Sequence, residues 1–223
     1  MNFSLIVPIA ANKPEYKEHI PQVFHVAEDG TLLCVKAIMG LDLSKFNAIY
    51  FTILRELDER YALSERLNLQ FKIHGLNAKI VLLDEPTSSQ PETIYQTIVK
   101  ENIKGAIFIK DADCYFEGEV QPYNSVAVYP LEELEWVNPR DKSYVQVDDM
   151  QYVTNIIEKK LISHLFSAGG YCFESVDDYS KYYGKLRNYN GLYLSHIIYA
   201  MLLDGKVFRP IESDKYLDFE ALH

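Results

Sequence analysis

Two carboxylates one residue apart, Asp111 and Asp113, follow the apolar run Ala106-Ile107-Phe108-Ile109 and Lys110. Crowding like charges at the end of such a run is costly unless a cation or a set of hydrogen-bond donors neutralises them. The pair therefore points either to a divalent metal with the phosphates it would bridge, or to a solvated turn whose aspartates cap a helix. The first reading has a geometric rule behind it. In an open α/β sheet, ligands bind beyond the carboxyl ends of the strands, which is where these two side chains would lie. The six histidines show no HxH or HExxH pattern and no Ser or Cys pairing at a usable spacing, so they are given no catalytic role.

The elements that must carry these carboxylates are legible on either side. Phe3 to Pro8, Ala48 to Leu54, Ala78 to Leu83 and Ala106 to Ile109 are continuous apolar runs, the pattern of strands buried on both faces of a parallel sheet. A short strand is expected over Val23 to Ala27, then a bend at Glu28-Asp29-Gly30 and a helix capped by Thr31. A charged amphipathic helix is expected from about Arg55 to Ile73. Another should begin near Pro91 with Ser89 or Gln90 at its cap. Alternation of strand and helix predicts right-handed crossovers. Beyond Gly118 the rhythm changes to short β-prone segments, Val126 to Tyr129, Tyr144 to Val147, Tyr152 to Ile157 and Ser167 to Phe173, which read as mixed or antiparallel. Helices follow at Val176 to Leu186 and Leu192 to Leu203, then a strand from Lys206 to Ile211 leading to Tyr216-Leu217-Asp218-Phe219. With no repeat or linker, the chain reads as one domain of two functional halves, residues 1–118 and 119–223.

Bulk properties narrow the partners. At 223 residues the chain is long enough to bury a core without staples. Its formal charge of −10, from 32 acidic against 22 basic residues, argues against non-specific binding to nucleic acid or an anionic membrane. Any phosphate site must be local. The cysteines, Cys34, Cys114 and Cys172, are odd in number, lack CxxC spacing and sit among apolar neighbours, so buried free thiols in a reducing cytoplasm are expected. The N-terminal apolar run is too short for a membrane span or a signal peptide.

Several segments, in order, resemble the sugar-phosphate nucleotidyltransferases. Leu5-Ile6-Val7-Pro8-Ile9-Ala10 resembles their opening strand, and Asp113 with Tyr115-Phe116 resembles their metal-binding aspartate segment. Ile157-Glu158-Lys159-Lys160-Leu161-Ile162-Ser163 followed by Ala168-Gly169-Gly170-Tyr171-Cys172-Phe173 is the sharpest match, and Tyr216-Leu217-Asp218 is similar to the segment that supplies a second metal ligand. The resemblance spans nearly the whole chain. It implies an α/β fold of GT-A or Rossmann-like type, three layers α/β/α around a mainly parallel sheet, with an additional mixed or antiparallel region in the C-terminal half. The departure lies after the first strand. The family carries a glycine-rich loop with an arginine and then a Pro-Lys pair, whereas here the stretch is Ala11-Asn12-Lys13-Pro14-Glu15-Tyr16 and Pro21 precedes Gln22. Glycines suit such a loop because backbone amides must approach phosphates closely.

What the resemblance implies is a metal-dependent transfer of a nucleotidyl group from an NTP to a phosphorylated sugar or small polyol, with pyrophosphate released and the product feeding surface (capsule) polysaccharide synthesis in a bacterium. Mg²⁺ or Mn²⁺ would be held by Asp113 and Asp218. Asp111 would hold a metal-bound water or the ribose. Lys159 would neutralise the acceptor phosphate, Glu158 would bind an acceptor hydroxyl, and Gly170 with Tyr171 would line the acceptor pocket. Ala10, Ala11 and Lys13 would face the NTP phosphates. The base would lie near Thr87-Ser88-Ser89-Gln90, a segment that reads equally as a capped helix start. Two other readings stay open: a GT-A glycosyltransferase using Asp111-Ala112-Asp113 as a DxD motif, and a non-catalytic relative that binds a nucleotide or sugar phosphate. A homo-oligomer is compatible with either.

Overall fold

The computed structural model describes residues 2–10, 14–134 and 139–219. Strands β1 (Phe3–Ile9), β2 (Ala48–Leu54), β3 (Ala78–Leu83) and β4 (Ala106–Lys110) lie parallel in the order β4-β1-β2-β3. Because side chains alternate along a strand, the sheet has two apolar faces. Leu5, Val7 and Phe108 enter one core, while Ile6, Ile107 and Ile109 enter the other. Helices α1 (Leu33–Lys36), α2 (Arg55–Tyr61) and α3 (Leu63–His74) cover the first core, with Val35, Leu57, Leu67 and Phe71 buried in it. Helices α4 (Gln90–Glu101), α5 (Val176–Leu186) and α6 (Leu194–Leu203) cover the second through Ile94, Ile98, Tyr179, Ile197 and Met201. The result is the three-layer α/β/α arrangement that the sequence predicts.

The C-terminal half completes the sheet. After β5 (Cys114–Glu117) come β6 (Ser125–Pro130), β7 (Ser143–Val147), β8 (Val153–Glu158) and β9 (Leu165–Phe173), then β10 (Arg209–Glu212) and β11 (Lys215–Asp218). Strand β9 is antiparallel to both β4 and β6, giving the order β10-β6-β9-β4-β1-β2-β3, and β7 pairs with β8 and β9. A separate two-stranded ribbon joins β5 to β11.

Three local expectations are corrected. Val23 to Ala27 is not a strand: Gln22–Phe24 is a 3-10 turn and only one bridge, Val26 to Leu32, forms beyond it. Leu32, not Thr31, precedes helix α1, and the Thr31 amide instead donates to Asp29 Oδ1 at 3.0 Å within the bend. The helix expected over 55–73 is two helices, parted at Ala62, which takes φ +52°. Asp58 holds that break, its carboxylate accepting from the Ser64 amide at 2.6 Å and the Ser64 hydroxyl at 2.8 Å. A side-chain acceptor of this kind competes with continuous helix.

Candidate active site

A cavity of about 770 Å³ opens at the carboxyl ends of β1 and β4 and runs across to the β8 end and the start of α6. Ser89, Gln90, Asp111, Asp113, Glu158, Lys159 and Tyr171 all line it. Residues expected from two distant parts of the sequence thus converge on one space.

On the β4 side, the turn carrying the aspartates is held from below. Lys110 is fully buried, and its ammonium donates to the Asp111 and Cys114 carbonyls at 2.8 and 2.9 Å while lying 5.1 Å from the Phe116 ring centroid. A buried cation satisfied by carbonyls fixes the turn, because leaving it unpartnered would be costly. The Asp111 amide donates to the Gly169 carbonyl at 2.9 Å, and Gln90 Nε2 donates to Asp111 Oδ1 at 2.5 Å. Ser89 caps α4 by accepting from the Glu92 amide at 3.3 Å, which aims the start of that helix at the cavity. Burial, and then the neighbouring Asp113 charge, push the Asp111 carboxyl up to about 6, against the pull of Lys110, Gln90 and Lys142.

The opposite wall is built by the β7–β8 hairpin, whose register sets Ser143 beside Glu158. Glu158 Oε2 accepts from Ser143 Oγ at 2.5 Å and from Ser195 Oγ, in the first turn of α6, at 2.8 Å. Lys159 stands in the left-handed region, at φ +55°, with its amide donating to the Lys142 carbonyl at 3.0 Å. A non-glycine residue holds that conformation only where its surroundings enforce it. Its ammonium rests 5.2 Å from the Tyr193 ring centroid and 3.3 Å from the Tyr193 hydroxyl, exposed at the cavity mouth.

Other expected site residues are placed differently. Gly170 does not line the cavity: a Cβ there would meet Phe116 Cζ at 2.6 Å and Phe108 Cζ at 2.8 Å, so it faces the core. Its neighbour Gly169, at φ +76°, faces Asp111 and Cys114 instead and is the glycine of the cavity wall. Ala10 is buried and Pro8 and Ile9 line the cavity in its place. Ala11 and Lys13 lie outside the described residues.

The β5–β11 ribbon brings Asp218 opposite Cys114, and the Phe219 amide donates to the Asp113 carbonyl at 2.9 Å, so Asp218 on β11 lies beside the turn that carries Asp113. Asp218, however, is engaged. Its Oδ2 accepts from Lys142 Nζ at 2.5 Å, and Lys142 also donates to Tyr216 Oη at 2.8 Å. Among the described residues no group of three or more His, Cys, Asp or Glu side chains is arranged to hold a metal ion. With one ligand consumed by an ammonium, the donors as arranged do not fit a divalent cation, which needs free oxygens in near-octahedral order. Lys142, Ser143, Ser195 and Tyr193 had no sequence signal. Only the hairpin register and the packing of α6, neither of which the local pattern fixes, bring them to Glu158 and Asp218.

No family model and no curated protein sequence matches the chain. Solved structures do. A nucleoside-diphosphate-sugar pyrophosphorylase from Vibrio cholerae RC9 superposes with a TM-score of 0.74 at 17% identity, covering 96% of this chain and 94% of that one. This is the sugar nucleotidyltransferase fold. The inositol-1-phosphate CTP transferase from T. maritima gives 0.71 at 13% identity, over 98% of this chain and 89% of that one. A UDP-glucose pyrophosphorylase complexed with UDP-glucose gives 0.68 at 13% identity, over 98% and 93%. The shared fold spans 96–98% of this chain in these superpositions, and the cavity lies at the strand ends where open α/β sheets take ligands.

Proposed function

We propose that the chain is a nucleotidyltransferase that joins an NTP to a phosphorylated sugar or small polyol. The observation that carries this is the single cavity in which Gln90 and Asp111 on one wall face Glu158 and Lys159 on the other. In the reaction, an acceptor phosphate oxygen attacks the α-phosphorus in line. The new P–O bond forms as the bond to the bridging α–β oxygen breaks, and that electron pair leaves with pyrophosphate. Both reactants are anions, so alignment and charge neutralisation matter more than a general base.

Each residue has a part in that scheme. Lys159, on its Tyr193 platform, meets the acceptor phosphate at the cavity mouth. Glu158, fixed by two serine hydroxyls, keeps a second oxygen with which to accept from an acceptor hydroxyl. Gln90 uses one amide hydrogen on Asp111 and retains its other hydrogen and its carbonyl for a base edge. Tyr171 and the Gly169 backbone floor the acceptor side. Lys13 is the cation assigned to the triphosphate from the sequence. No step is routed through Mg²⁺, because Lys142 stands on Asp218. The three buried free thiols support a reducing, cytoplasmic setting, and an activated precursor of surface polysaccharide is the product class we assign.

The test is release of pyrophosphate when the protein meets each of the four NTPs and a panel of sugar and polyol phosphates, with Mg²⁺ and with EDTA. One NTP and one acceptor should give stoichiometric pyrophosphate and a nucleotide diphospho-product. No release from any pair in either condition would end this reading.

A further inference from the structure

Lys142 lies at the junction of the β7 start, β11 and the aspartate turn. Its side chain is 17% exposed and that of Asp218 is 19% exposed, so the pair is largely withdrawn from solvent. The Phe166 and Tyr216 ring centroids lie 5.7 and 5.3 Å from the ammonium, and Tyr216 is itself packed edge-on against Phe166 and stacked on Tyr129. Two of the three N–H donors of Lys142 are taken by Asp218 and Tyr216. Lys142 lines the cavity with Asp111 and Asp113, and its charge lowers the Asp111 carboxyl behind the larger pull of Lys110 and Gln90. Asp218 on β11 is therefore compensated by a protein-borne cation that shares the cavity with the turn carrying Asp111 and Asp113.

We propose that the Lys142 ammonium is the resident cation of the phosphate site, paired with Asp218 in the cavity that Asp113 also lines, where a divalent ion is expected, and presenting its remaining donor to a phosphate oxygen. This deepens the nucleotidyl-transfer reading and rests on it for the identity of the phosphate. A point-charge ammonium on a flexible stem is suited to that work, since lysine meets phosphates by charge and not by a fixed fork. A divalent ion entering here would have to break a largely buried ion pair and then sit beside the displaced ammonium, so resident lysine and metal exclude each other. The Lys142 carbonyl accepts from the Lys159 amide, so the two lysines are set by one hairpin: one at the aspartates and one at the cavity mouth.

The experiment uses Mn²⁺ alone, followed by electron paramagnetic resonance, and inorganic pyrophosphate, followed by calorimetry, on wild type, K142Q, K142R and D218N. D218N should bind Mn²⁺ as wild type does, because Asp218 is held by Lys142 and is not free to ligate it. K142Q should bind Mn²⁺ about tenfold or more tightly than wild type while losing about tenfold or more in pyrophosphate affinity in EDTA, and K142R should retain most of the latter. Equal Mn²⁺ affinity in wild type and K142Q, or a loss of about tenfold in D218N, would overturn the proposal; the D218N comparison decides it even where K142Q fails to fold. If wild type binds pyrophosphate neither in EDTA nor with Mg²⁺, the nucleotidyl-transfer reading fails, and the Mn²⁺ comparisons still decide whether Lys142 holds the metal position.

Discussion

Replacing Asp111 by Asn removes a charge that the fold disfavours. The carboxyl is raised from 3.8 to about 6 by burial and by Asp113. Between those pH values the folded protein keeps a proton that the unfolded chain has released, so stability falls as pH rises through the window. The penalty is absent below about pH 3.8, grows up to about pH 6, and is complete above it. At about 1.4 kcal/mol per tenfold change in proton affinity, it amounts to about 2 to 3 kcal/mol. Asn at 111 keeps an oxygen to accept from Gln90 Nε2, so D111N should release the penalty without opening the turn. For a chain of this length that corresponds to a rise in Tm of roughly 5 to 10 °C near pH 7.5. Near pH 4 the offset should all but vanish. Thermal unfolding followed by fluorescence at the two pH values is the assay. A lower Tm for D111N at about pH 7.5, or the same offset at both pH values, would show that Asp111 is held by its neighbours as an anion and that the electrostatic argument is wrong.

Gly169→Ala places a Cβ 2.5 Å from Cys114 Sγ and 3.0 Å from Asp111 Oδ2, at a φ of +76°. Backbone strain and overpacking together should cost about 2 to 5 kcal/mol, read as a fall in Tm of at least about 5 °C, and a fall of under about 2 °C would mean that the β9 backbone relaxes freely. Ser195→Ala takes one of two hydroxyl donors from Glu158. It should lower stability by only about 1 to 2 kcal/mol while raising KM for the phosphorylated acceptor several-fold, and an unchanged KM would remove Glu158 from the acceptor site.

The parallel half of the sheet was legible because β1, β2 and β4 are largely buried on both faces and even the edge strand β3 is mostly apolar, and such runs have few other uses. Strand β5 was not, since Cys114–Glu117 is four residues of alternating burial whose partner, β11, comes a hundred residues later. The helix break at Ala62 escaped because it depends on one aspartate finding one serine. Gly169 and Gly170 show the limit for the site itself. Adjacent residues on a strand face opposite ways, so a parity error of one exchanges a wall residue for a core residue, and local sequence does not set parity. The carboxylates at 111 and 113 announced themselves by being misplaced at the end of an apolar run. Lys142 is one lysine among many, and nothing near it in the chain names Asp218 as its partner.

Strand β9 has a further consequence, for the order in which the molecule assembles. It lies between β4 and β6 and is antiparallel to both, and its pairing with β4 matches Ile107 to Phe173. Until residue 173 is available, β4 presents an open hydrogen-bonding edge whose side chains are already apolar on both faces. Such an edge is a template for pairing with another chain. The sheet therefore closes late, through a contact of long sequence separation that carries a large loop-closure cost. Refolding should be slow and strongly dependent on protein concentration, and the stretch most exposed to misassembly in that interval is the one that ends in the aspartates of the candidate site.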